Sequence, residues 1–373
     1  MIKNKELVLV TGGAGFIGSH LVDALIDSGY RVRILDNLSP PTHNGRLPDW
    51  FNKKVQFIKG DVRNKKDWIK ALKGVDYVFH LAAYMDYHLD FSAYFDTNAK
   101  SVALLYEIII EAKLPVKRII VASSQSLYGE GKYRCAKHGI FYALARPESQ
   151  LKRHEWDVKC PLDGKNAVPL PEKESDELRP QIPYGISKLA SEQTAIALGR
   201  IYNIPSVALR YSIVQGARQS YRHFYSGALR DFSVRALTGR PIVMQEDANQ
   251  IRDFVNVRDV VSAHLTVLKN RRADFQIFNV GSGKKTRVKD LAKTVCRLAK
   301  VPFKPVIQGM FRINAPRHSI MDISKLKKLG WKPMYSIEDS AKEYLAWVKN
   351  YPEATAYWDK TYKKMEQDGT LKT

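Results

Sequence analysis

Residues 7–29, "LVLVTGGAGFIGSHLVDALIDSG", decide the fold. "LVLV" (Leu7 to Val10) is a short apolar run of the kind that forms a parallel strand buried on both faces. Gly12, Gly15 and Gly18 follow as G-x-x-G-x-x-G, and Ile17, Leu21 and Leu25 then repeat at helical spacing. At a strand-to-helix turn, Gly12 permits the tight turn and Gly15 lets the backbone approach a pyrophosphate. Gly18 lets the helix lie close on the strand. The helix start, at Phe16 and Ile17, offers free N–H groups to the phosphates.

Outward from this stretch the alternation continues. "RVRILD" reads as a second strand ending in Asp36, with Asn37 beside it. Asp36 lies 18 residues after Gly18, where its carboxylate accepts hydrogen bonds from an adenosine ribose diol and repels a 2′-phosphate. NAD is therefore expected rather than NADP. "VQFIKGDV", "DYVFHLAA" and "KRIIVASS" read as three further strands separated by helical stretches. The fold class is α/β: a Rossmann-type doubly wound parallel sheet with a smaller C-terminal α/β substrate domain. The expected division is 1–190 for the NAD-binding domain, with an insert at about 130–180. Residues 191–373 are mainly substrate-binding, with some segments returning to the sheet.

Bulk properties narrow the function classes. The 373 residues include 60 Lys and Arg against 38 Asp and Glu, a net charge of +22. These charges are spread along the chain without a nucleic-acid motif, so a solvated basic surface is expected and no nucleic-acid partner. No apolar run reaches a membrane span, and "MIKNKELVLVTGG" has no signal-peptide h-region. With only Cys135, Cys160 and Cys296, a disulfide framework is not expected, and a cytoplasmic protein with reduced thiols is.

"LRPQIPYGISKLASEQ" places Tyr184 and Lys188 one helical turn apart after Pro183. A free phenol, with a pKa of about 10, is too weakly acidic to act as a base at neutral pH. A lysine on the same side of the helix, with the charge of an oxidised nicotinamide, favours the phenolate.

"TGGAGFIG", "GDV", "HLAA", "NAKS", "ASSQSLYG", "YGISK" and "RDFVNVRDV" occur in the order found in the extended short-chain dehydrogenase/reductases, which this chain resembles. The resemblance implies that Asp61 and Val62 flank the adenine, and that Leu81, Ala82 and Ala83 line the cofactor cleft. It implies that Asn98 supports the site. Ser124 would bridge substrate and tyrosine, with Tyr184 as base and Lys188 serving phenolate and ribose. The family's 4,6-dehydratases carry an Asp–Glu pair directly after the hydroxyl residue. Here Gln125 and Ser126 stand there, which argues against dehydration. Tyr211, Arg218, Arg252 and Arg317 match positions that contact substrate in the family, the latter two approaching a diphosphate. Ile213 replaces the usual substrate-contacting Asn.

The insert resembles that of dTDP-L-rhamnose 4-epimerase-like enzymes. Cys135-x2-His138 and His154-x5-Cys160 offer four candidate metal ligands. The C-P-x-C-G knuckle implied by that resemblance reads "CPLDG" here, with Asp163, and no metal is expected. The resulting expectation is an NAD-dependent sugar-nucleotide 4-epimerase on a dTDP-6-deoxyhexose or UDP-hexose, a homodimer through a four-helix interface. A 4-ketoreductase or dehydratase is the alternative within enzymes, and a non-catalytic cofactor-binding regulator the alternative outside them.

Overall fold

The computed structural model describes residues 6–86, 90–223, 227–357 and 359. Seven strands form the central sheet: β1 (Leu7–Thr11), β2 (Arg31–Asp36), β3 (Gln56–Lys59), β4 (Tyr77–His80), β5 (Arg118–Ser124), β6 (Ser206–Tyr211) and β7 (Gln276–Val280). All pair in parallel, in the order β7-β6-β5-β4-β1-β2-β3. Chain direction across the sheet reverses at β1, between β4 and β2, which opens a crevice at the carboxyl ends of the strands. β6 and β7 come from beyond residue 190, so the C-terminal half of the chain completes the sheet.

Eight helices of seven residues or more accompany it among the described residues: α1 (Phe16–Asp27), α2 (Lys65–Ala71), α3 (Ser101–Glu111), α4 (Pro183–Ile201), α5 (Gly227–Leu237), α6 (Val257–Leu268), α7 (Val288–Ala299) and α8 (Ile337–Val348). The period-two alternation of β1 sorts its side chains between two cores. Val8 and Val10 join Leu21 and Leu25 of α1 and Val260 and Val267 of α6. Leu7 and Leu9 face the opposite way, onto Trp68 of α2, Leu105 and Ile109 of α3 and Ala195 of α4. That two-sided burial explains the uninterrupted apolar run.

A third core, with Leu229, Phe232, Leu291, Val295 and Tyr344, holds α5, α7 and α8 together beyond the strand ends. The insert forms a hairpin, Lys132–Cys135 with Gly139–Tyr142, and a third short strand, Val168–Pro169. Its own apolar cluster is small: Tyr133, Ala143, Val158 and Ala167, with Phe141 against them. No helix among the described residues is long and apolar enough to cross a membrane.

The glycine turn is set by contact distance. A Cβ on Gly18 would stand 2.2 Å from the Gly12 carbonyl oxygen, closer than any two such atoms can come. Gly18→Ala should therefore push α1 off the β1 turn. The expected loss is about 1–3 kcal/mol, in the range of overpacked interiors, read as a lower thermal midpoint with the remaining sheet intact by circular dichroism.

Candidate active site

Parallel register brings the chemistry-bearing residues to one edge of the sheet. Thr11 at the end of β1 lies level with Leu35 of β2 and His80 of β4, and Ser124 at the end of β5 with Tyr211 of β6. Beside Thr11, the carboxylate of Asp36 accepts from the Ala14 N–H at 3.0 Å and from the Leu38 N–H at 2.9 Å. It thus locks the glycine turn while keeping lone pairs for further donors. Asn37 donates to Asp61 at 3.0 Å, and Asp61 also pairs with Arg63 at 2.7 Å. Val62 is buried, and its carbonyl accepts from the Trp68 indole at 2.7 Å.

The Leu81 and Ala82 N–H groups donate to Thr11 Oγ1 at 3.2 and 3.1 Å, and Ala83 is exposed at the mouth of the crevice. A Cβ on Gly12 would lie 2.8 Å from the Ala82 nitrogen, so the two loops meet at the limit of approach. With Gly15, Phe16 and Ile17 at the start of α1, this is a cradle of glycine backbone and N–H groups that suits a pyrophosphate.

Thr11 and His80 are additions to the residues read from the sequence. Ser101 Oγ donates to the Thr97 carbonyl at 2.5 Å, so it accepts from His80 Nε2 at 2.8 Å. His80 Nδ1 must then accept from Thr11 Oγ1, at 2.7 Å. Burial, then the nearby Lys188 charge, pushes the imidazole down to about 3, so it stays neutral. The signal was present in "HLAA", but only the strand pairing gives His80 its partners.

Pro183 occupies the first turn of α4, where its missing N–H costs nothing. Tyr184 follows, hydrogen-bonded to Ser124. Ser124 Oγ accepts from both the N–H and the hydroxyl of Ser126, at 3.1 and 2.9 Å. With both lone pairs engaged, its own proton is left to donate toward the Tyr184 phenol. Lys188, one turn on, is buried and donates to the Ala122 carbonyl at 2.9 Å.

Without a cofactor charge, burial dominates both groups of the pair. Burial pushes Tyr184 up to about 12, against which the Ser124 hydrogen bond works, and burial alone pushes Lys188 down to about 8. Asn98 lies in a π-helical turn, Phe95–Lys100. It bridges the Tyr84 backbone and Ser187 Oγ, and Ser187 donates to the Tyr184 carbonyl. Asn98 thereby fixes the start of α4.

One buried ion pair holds α4 to the sheet and was not legible beforehand. Arg210 of β6 donates to both oxygens of Glu192, at 2.9 and 2.6 Å, and Ser123 of β5 donates to the same carboxylate at 2.6 Å.

Tyr211, Arg218, Arg252 and Arg317, expected with Ser124 to contact substrate, have protein partners in this structure. Tyr211 is buried, with its hydroxyl on His264 at 2.8 Å. Arg218 pairs with Asp23 of α1 at 2.7 Å. Arg252 donates to the carbonyls of Ile251, Pro316 and Arg317. Arg317 gives four of its five N–H donors to Asp157, Glu246 and Asp247. The metal-ligand set also changes: His154 stacks on Trp156, ring centroids 5.1 Å apart, and Asp163 stands with Cys135, His138 and Cys160.

A doubly wound sheet, a glycine cradle locked by the Asp36 carboxylate and a Ser–Tyr–Lys set at its edge define a nucleotide-cofactor enzyme of the short-chain dehydrogenase type. The chain belongs to the NAD dependent epimerase/dehydratase family, which it matches over residues 8–147 and 162–281. The break between these spans falls inside the insert. Among curated relatives it is 32% identical to the dTDP-L-rhamnose 4-epimerase of Burkholderia thailandensis, covering 91% of this chain and 94% of that one. It is 31% identical to a putative UDP-glucose 4-epimerase of Methanocaldococcus jannaschii, over 92% and 99%. Among solved structures it superposes on the Thermotoga maritima UDP-glucose 4-epimerase with UDP-glucose at TM-score 0.74 and 30% identity, over 92% and 99%.

Lys188 makes stability depend on pH with a definite sign. The folded chain releases this proton at about 8, whereas an unfolded lysine holds it to about 10.4. Between those values the folded state binds fewer protons, so the contribution of Lys188 to stability rises with pH. Lys188→Met removes that dependence. Its thermal midpoint relative to the parent should fall steadily from about pH 8 to about pH 10 and be flat from pH 6 to 7.

Proposed function

We propose that this chain is an NAD-dependent nucleotide-sugar 4-epimerase, which oxidises the sugar transiently at C4 and re-reduces it on the other face. The substrate class is a dTDP-6-deoxyhexose or UDP-hexose, in line with the relatives' names. The observation that carries the reading is the Ser124–Tyr184–Lys188 set at the carboxyl edge of the sheet, with Gln125 and Ser126 following Ser124. Gln125 accepts from Ser319 Oγ at 2.9 Å, and neither residue is a carboxylate that would serve dehydration.

NAD, when bound, supplies the hydride acceptor and a positive charge beside the phenol. Gly12, Gly15, Phe16, Ile17 and Gly18 would hold its pyrophosphate, and Asp36 its ribose diol. Asn37, Asp61 and Val62 would border the adenine, with Leu81, Ala82, Ala83 and Asn98 along the cleft. Tyr184 takes the proton of the C4 hydroxyl and returns it. Ser124 steadies the phenolate by donating to it, and Lys188 presents its charge and its donors from one turn below. Tyr211 and Arg218 would contact the nucleotide sugar, and Arg252 and Arg317 would approach its diphosphate.

Tyr184→Phe keeps the ring and its packing but removes the proton acceptor. Turnover of UDP- or dTDP-hexoses, followed by NMR of the anomeric signals, should fall by about 10²–10⁴-fold, with the NAD content of the protein unchanged. Near-normal turnover by this variant with NAD present would overturn the mechanism.

We also propose a homodimer in the reducing environment of the cytoplasm, built on α3, α4 and the segment leading into α3. Phe91, Phe95 and Ile186 expose 51%, 40% and 43% of their surface on these elements, apolar area that a partner helix pair would cover. Light scattering should return the mass of two chains, and Ile186→Glu that of one.

A further inference from the structure

Two short turns of the insert face each other with the same spacing. Cys135-x2-His138 runs from the end of the first hairpin strand into its turn. Cys160-x2-Asp163 forms a second turn, closed by the Gly164 N–H on the Cys160 carbonyl at 2.9 Å. Each is followed directly by a glycine in the left-handed region, Gly139 at φ 79° and Gly164 at φ 69°. Glycine adopts that conformation without strain, so both segments reverse at once, with the intervening pairs turned to solvent.

The four side chains converge. Cys135 Sγ lies 3.6 Å from His138 Nδ1 and 3.7 Å from Asp163 Oδ2. His138 Nδ1 lies 3.4 Å from Cys160 Sγ and 3.6 Å from Asp163 Oδ2. One ligand atom from each residue falls within 4.8 Å of all the others. Zinc bonds of about 2.3 Å to sulfur and about 2.0–2.2 Å to nitrogen and oxygen place the corners of a tetrahedron about 3.4–3.8 Å apart. The four contacts given above lie in that interval. Thiols are weak hydrogen-bond donors, so hydrogen bonding gives little reason for two of them to meet at the His138–Asp163 pair.

We propose that Cys135, His138, Cys160 and Asp163 bind one zinc ion as a closed structural site. Two thiolates, an imidazole and a carboxylate in tetrahedral array are a donor set for zinc. All four corners are protein ligands, so no position is open to water or substrate, and the ion acts on folding. The insert's own apolar cluster is only five side chains for about fifty residues, so a metal would add to the ion pairs that tie it down. Free energy of metal binding becomes free energy of folding for such a unit. The Lys165 N–H donates to Asp163 Oδ1 at 3.1 Å and orients that carboxylate from outside the ligand shell. Asp163 stands where a fourth soft ligand would make a tighter site, so this version is expected to release its metal to chelators more readily.

The test uses the full chain, expressed without a metal-binding tag and purified without chelator. Elemental analysis should find about one zinc per chain, and Cys160→Ser should fall to a small fraction of that. Cobalt(II) supplied to metal-stripped protein should give tetrahedral ligand-field bands and thiolate-to-cobalt charge transfer, the latter weakened in Cys160→Ser. Asp163→Cys guards against misfolding as the cause of any loss: it should retain zinc and resist chelators longer than the parent. The proposal is overturned if the folded parent holds no zinc and takes up no cobalt(II). It is overturned equally if Cys135 and Cys160 prove joined as a disulfide, the chain lighter by its two thiol hydrogens.

Discussion

The buried carboxylate of Glu192 is the constraint on which the site depends. It accepts from Ser123 of β5 and from both faces of the Arg210 fork of β6, while itself riding on α4. Three elements distant in sequence are thereby fixed to one point two turns along α4 from Tyr184. Such a pair is strong in its local geometry and costly to break, because loss of one partner leaves an uncompensated charge in the interior. Arg210 also reaches the Tyr128 hydroxyl at 2.8 Å, which extends the tie to the loop after Ser124. The distance between the Ser124 hydroxyl and the Tyr184 phenol is thus set by a contact in which neither takes part.

Electrostatics at this point divide the work between the fold and the cofactor. Burial alone drives the phenol up and the ammonium down, which is the wrong direction for a base. The protein answers with direction rather than charge: Ser126 fills the lone pairs of Ser124 so that its proton points at the phenol. Next to it, the Thr11–His80–Ser101 chain uses each donor once and holds the cofactor loops with no free proton.

Features that depend on residues close in sequence were legible before the structure. The glycine turn, the strand ending in Asp36 and the Tyr184–Lys188 turn are local, and their residue types follow from local sterics and helical period. The protein partners of the arginines were not. A guanidinium announces that it will meet an acid, but its partner is chosen by tertiary contact, and Arg317 meets Asp157, Glu246 and Asp247 from distant segments. The ligand set of the insert failed for a related reason: His154 has the right chemistry, yet ring stacking on Trp156 takes it, and Asp163 is nearer the two thiols.

The ionic cluster around Arg317 has a consequence for how such a chain can change over generations. Arg146 and Asp157 belong to the insert, whereas Glu246, Asp247 and Arg317 belong to the C-terminal part, and they meet in a region with Arg146, Glu246 and Arg317 buried. Excising the insert would remove Arg146 and leave Glu246 and Asp247 to share the Arg317 guanidinium alone, two carboxylates on one cation. Insert and Glu246 are therefore coupled electrostatically through Arg146. A chain that dropped the insert would need a new cation beside Glu246, or a neutral residue in its place, to restore the balance that Arg146 gives.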